Sequence, residues 1–77
     1  MIALINTFHR HPDTIGSIES LHRSREAAER ANVRLQRAIK RSNGRDCYMP
    51  TTIRRLIPAR WKAGEHVRSS EILDDTI

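Results

Sequence analysis

The sequence has no second cysteine for Cys47, the only one among 77 residues, which rules out an internal disulfide and fits a reducing compartment. That thiol is expected to be a half-buried small hydrophobe. No apolar run approaches the roughly 18 to 20 residues of a membrane-spanning helix, and the opening Met1-Ile2-Ala3-Leu4-Ile5 lacks the basic start and long apolar stretch of a signal peptide. A cytoplasmic protein with no membrane partner is expected. Glycine is limited to Gly16, Gly44 and Gly64, each isolated, so there is no glycine loop to cradle phosphate and no Gly-x-Ser-x-Gly elbow. Aromatics are as scarce: Phe8, Tyr48 and Trp61 are the only three.

The core must therefore come from nine Ile, five Leu and two Val, and a chain of this length buries only about 60 to 65% of the surface its unfolded form exposes. A pocket cut into so small a core would remove much of what holds it together. No enzyme is expected, and no residue is assigned a catalytic role. The same thin core favours partners that cover leftover apolar surface, either a second copy in a homodimer or a larger molecule.

Residues 2 to 8, Ile-Ala-Leu-Ile-Asn-Thr-Phe, are short, apolar and rich in β-favouring types, which predicts a strand. Arg10-His11-Pro12-Asp13 is a turn signal, since proline presets its own φ and Asp bonds nearby amides. Residues 14 to 22 read two ways. Thr14, Ile15, Gly16 and Ile18 suit a second strand paired with the first, whereas Ile15, Ile18 and Leu21 at intervals of three would fit a short helix after Asp13.

The helix that follows, residues 25 to 42, is signalled at both ends. Ser24 is a good N-cap, Glu26 suits the positive end of the dipole, Lys40 and Arg41 suit the negative end, and Asn43-Gly44 supplies the stop. Ala27, Ala28, Ala31, Leu35, Ala38 and Ile39 fall at spacings of three and four, the stripe of an amphipathic helix. Residues 48 to 57 read as a third strand with Pro50 near its start, where a missing donor does least harm, and Pro58 ends it. The expected fold is α+β, a small ββαβ-like antiparallel sheet covered by one amphipathic helix; a mostly α chain with two helices is the alternative. Residues 1 to 62 are read as this basic domain and 63 to 77 as an acidic C-terminal tail, with residues 69 to 75 long enough for one acidic helical turn.

That division rests on charge. The net +5 conceals thirteen Lys and Arg against five Asp and Glu in residues 1 to 62, and Arg68 alone against four carboxylates in residues 63 to 77. Basic charge favours a polyanionic or acidic partner through long-range attraction. A competing explanation is genomic, because Arg outnumbers Lys twelve to two and a coding bias alone can do that.

Two basic groups stand out. Arg30, Arg34, Arg37 and Arg41 recur at spacings of four, three and four, opposite the apolar stripe, so their guanidinium groups can reach successive phosphates or acidic side chains. An ordinary solvated face, with Glu26 pairing to Arg30, is the alternative. Arg54, Arg55, Arg60 and Lys62 form the second group around Trp61. Strand alternation sends Arg54 and Arg55 to opposite faces, and a lone Trp in a small domain more often closes the core than stacks on a base.

His9, His11, His22, Cys47 and His66 offer donors for a metal, but the close second pair of a structural zinc site is missing. No metal or cofactor is expected, and no motif is specific enough to name a family. Two functions lead, with a structural dimer of unremarkable charge as a third reading. One is a non-enzymatic module contacting nucleic-acid phosphates through the helix ladder. The other is a small protein-binding inhibitor or accessory protein of the phage or mobile-element type, seated on an acidic protein surface and blocking a host complex, for example one that processes nucleic acid.

Overall fold

All five residues of strand β1 (Ile2–Asn6) are buried, which requires cover on both faces of the sheet because successive side chains point to opposite sides. The computed structural model describes residues 1–8 and 11–73. Its elements run β1, β2 (Gly16–His22), helix α1 (Arg25–Asn43), β3 (Thr51–Arg55), β4 (His66–Val67) and a 3₁₀ turn at Ser69–Glu71. The four strands form one curled antiparallel sheet in the order β3-β1-β2-β4. The fold is the expected α+β arrangement with a fourth strand added, and the two-helix alternative does not occur, since β2 occupies residues 16 to 22.

Register shows which face meets what. Asn6 lies opposite Thr51, and Leu4 opposite Ile53. The Thr51 hydroxyl donates to Asn32 Oδ1 on α1 at 2.9 Å, so Ile2, Leu4 and Asn6 face the helix. Ala3 and Ile5 then point the other way, where they cluster with Ile18, Leu56 and Val67; Ile15, Leu21, Trp61 and Ile72 pack around that group. One face is thus closed by α1 and the other by the curl of the sheet and the segment after β3. Because β2 and β3 flank β1, the connection between them must cross β1, and α1 makes that crossing.

The first hairpin is held by two close features. The turn beyond the first strand is closed by His11 N–H donating to Thr14 Oγ1 at 3.1 Å and Thr14 N–H donating to His11 O at 3.0 Å, so among the described residues Thr14 supplies the side-chain acceptor of the turn. At its base, a Cβ on Gly16 would run into the carbonyl oxygen of Asn6 and stand 2.9 Å from the carbonyl carbon. Only glycine lets the two backbones approach so closely. Between Leu4 and Ile5 the register shifts, leaving Glu19 as the extra residue of β2. Its carboxylate accepts from Asn6 Nδ2 at 3.0 Å, which satisfies the one polar residue of β1, buried at 4% exposure.

Helix α1 has the ends its sequence calls for. Ser24 Oγ accepts from Ala27 N–H at 3.1 Å, and Gly44, at φ 116°, donates its N–H to Lys40 O at 2.9 Å. The inward stripe differs in composition from the expected one. Ala28 is fully buried, and Ala27, Ala31, Leu35 and Ile39 are half-buried, but Ala38 is exposed. Asn32 and Gln36 take inward places instead, where the chain entering β3 offers them polar partners. Nineteen residues give a helix about 28 Å long against about 17 Å for a five-residue strand, and residues 40 to 46 are exposed beyond the sheet.

Gln36 also explains why β3 is shorter than its sequence suggests. Its carboxamide donates to Met49 O at 2.8 Å and accepts from Met49 N–H at 3.0 Å, so residue 49 bonds to the helix rather than to β1. Pro50 follows with a carbonyl that accepts from Thr7 N–H at 3.0 Å but no N–H to return, and the ladder ends there.

The charge boundary after residue 62 is not a boundary of packing. Val67 is fully buried, and Gly16 and Ser17 pair with Val67 and His66. Leu56 bridges Ile72, and Leu73 N–H donates to Arg55 O at 2.8 Å. Residues 63 to 73 therefore complete the core, and their helical turn is the 3₁₀ turn, capped by Glu71 Oε1 accepting from Arg68 N–H at 2.9 Å. Asp74 and Asp75, part of the expected acidic tail, lie outside the described residues.

Candidate nucleic-acid interface

With the inward side of α1 fixed by Ala28, Asn32, Leu35 and Ile39, the 100° step of the helix puts Arg30, Arg34, Arg37 and Arg41 on the side away from the sheet. All four are exposed. From first to last they span about 16 Å of helix. No ion pair or side-chain hydrogen bond joins any of them to another described residue, so the Glu26 to Arg30 pair that the sequence allows does not form. From Arg30 to the end of α1 there is no carboxylate, whereas Lys40 adds a fifth cation and Arg45, just past the helix, a sixth; both are exposed. The ladder spacing alone leaves out Lys40 and Arg45.

The second basic group does not come together. Arg54 lies on the Ala3 face, half-buried, its Nε donating to Thr52 Oγ1 at 3.2 Å, while Arg55 points to the helix side and is exposed. Arg60 and Lys62 are exposed in the connection to β4, whose Trp61 packs on the core face away from α1. The sheet therefore stands between the helix ladder and Arg60 and Lys62. The eight residues singled out by sequence form one continuous stripe of four and four scattered cations. Trp61 is half-buried, and its Nε1 donates to Ile57 O at 2.9 Å, the role of a core-closing anchor whose one polar atom is satisfied.

The remaining donors have local tasks. His22 Nε2 meets Ser20 Oγ at 2.7 Å, and Cys47 Sγ donates to Asn43 O at 3.0 Å. The rings of His11 and His66 lie 4.5 Å apart between centroids, tilted by 57°. Among the described residues, no three His, Cys, Asp or Glu side chains converge as metal ligands, and no pocket is enclosed. No helix of the described chain is long and apolar enough to cross a membrane. Comparison with known protein families, curated proteins and solved structures yields no match.

Proposed function

We propose that this chain is a small, non-enzymatic, cytoplasmic module that binds nucleic acid by its phosphates along the outer face of α1. The observation that carries the proposal is the stripe of Arg30, Arg34, Arg37 and Arg41, exposed on one rigid element and bonded to no described carboxylate. Four like charges at one-turn spacing repel one another, and a polyanion along the stripe relieves that repulsion. Phosphate contacts position a protein on nucleic acid without reading its sequence, so binding through this stripe alone is expected to be indifferent to base order.

The test is fluorescence anisotropy with labelled oligonucleotides over a salt series. Four phosphate contacts give a slope of log Kobs against log salt near −3.6 for duplex, about a hundredfold loss between 50 and 200 mM salt. Arg34→Glu with Arg37→Glu is expected to abolish binding while leaving the fold intact. Absence of binding at low salt, or undiminished affinity in the double variant, overturns the proposal. An acidic protein surface is the competing occupant, and affinity purification with and without nuclease separates the two. Partners that depart on nuclease treatment support the proposal; a protein retained through it favours the inhibitor reading.

A further inference from the structure

The basic side of α1 is a convex surface. The helix packs on β1, β2 and β3 of the one sheet, so its outer side stands clear, and no pocket is enclosed among the described residues. The cations on that side form a fan rather than a single line once Lys40 is counted. At 100° per residue, Arg34 and Lys40 stand about 60° to either side of Arg37 around the helix axis, and Arg30 and Arg41 fall between Arg34 and Arg37. All five are exposed. From Arg30 to the end of α1 the other exposed residues are Val33, Ala38, Ser42 and Asn43, each with a short side chain, so little beyond the cations widens the helix.

A convex basic surface has to find its concavity in the ligand. A second copy carrying the same cations would be repelled. Single strands are held by proteins that supply a basic groove and aromatic platforms for the bases, and the outer side of α1 carries neither a groove nor an aromatic residue. Duplexes supply a groove of their own. The major groove of B-form DNA, about 12 Å wide and 8.5 Å deep, admits an α-helix, which is about 10 to 12 Å across with its side chains. The major groove of A-form RNA is too deep and narrow for side chains to read. A phosphate row borders each side of the groove, and a fan of cations reaches both rows where a single line would reach one. The sheet also leaves the end of the helix free, since residues 40 to 46 are exposed beyond it.

We propose that the ligand of this face is B-form duplex DNA, with α1 lying in the major groove, Arg30, Arg34 and Arg41 on the phosphates of one rim, Lys40 on those of the other and Arg37 between them. This rests on the phosphate-binding proposal above and adds the form of the nucleic acid and the groove. The test uses the full chain with a DNA duplex, an RNA duplex of the same base order and length, and one of the DNA strands alone, all at the same salt. The DNA duplex is expected to bind about tenfold or more tightly than either of the others. Dimethyl sulfate then reports the groove, because it methylates guanine N7 in the major groove and adenine N3 in the minor. Guanine N7 should be protected at saturating protein while adenine N3 reacts as in free DNA. Lys40→Ala should lower the magnitude of the salt slope on the DNA duplex by about 0.9, the share of one phosphate, and leave the melting temperature near that of the parent. Equal affinity for the RNA duplex or the single strand, reactive guanine N7 in the bound duplex, or an unchanged salt slope in Lys40→Ala overturns the groove placement and leaves phosphate binding standing. Failure of all three oligonucleotides to bind at low salt overturns both proposals.

Discussion

Replacing Gln36 by Leu would test how the helix positions the loop that carries Tyr48 and Arg45. Leu matches Gln in size and helix propensity, so α1 itself should persist. What is lost is the pair of bonds to Met49, at 2.8 and 3.0 Å, and the 3.1 Å bond to Asn32 Oδ1. At roughly 0.5 to 1.5 kcal/mol per bond, discounted because Gln36 is only half-buried and water can reach Met49, the expected loss is about 1 to 2 kcal/mol. In a domain of this size that lowers the melting temperature by roughly 5 to 15 °C. The decisive assay is residue-resolved amide exchange. Met49 N–H should lose protection preferentially, while Thr7 N–H, bonded to Pro50 O at 3.0 Å, retains most of its own relative to global stability. Unchanged protection at Met49 with unchanged stability would refute the reasoning, because it would mean that the Gln36 bonds do not hold residue 49.

Two further substitutions probe the frame. Gly16→Ala places a methyl group against the backbone of Asn6, and strand separation or a register shift should destabilise the protein by about 1 to 3 kcal/mol in urea denaturation; a change within about 0.5 kcal/mol would show that the hairpin does not close so tightly. Val67→Ala removes two methyl groups from a fully buried site, and an expected loss of about 2 kcal/mol would mark the acidic C-terminal segment as part of the core, where a loss near zero would mark it as an appendage.

The helix was legible because its signals are local. Ser24, the stripe through Ala28, Leu35 and Ile39, and Gly44 each act within a turn or so of chain, and α1 (Arg25–Asn43) forms where they indicate. β1 was legible as an unbroken apolar run, the pattern of a strand covered on both faces. The ambiguity at residues 14 to 22 could not be resolved locally, because intervals of three fit a helix and the residue types fit a strand. The contact of Gly16 with Asn6 belongs to the strand pairing alone. Ala38 was misplaced for a related reason: spacing defines a stripe about 100° wide, but what lies beneath decides its centre, and here the entry to β3 draws Asn32 and Gln36 inward.

For the candidate site the division is similar. Sequence by itself determined the four-arginine stripe, since helical periodicity carries Arg30, Arg34, Arg37 and Arg41 to one side wherever the helix is docked. Tertiary structure decided that these arginines meet no described carboxylate, that Arg54 and Arg55 part to opposite faces, and that Arg60 and Lys62 lie across the sheet from the ladder. It also decided the burial of Val67. Each of these depends on strand order and register, which are set by contacts between residues far apart in the chain, and one-dimensional spacing holds no record of them.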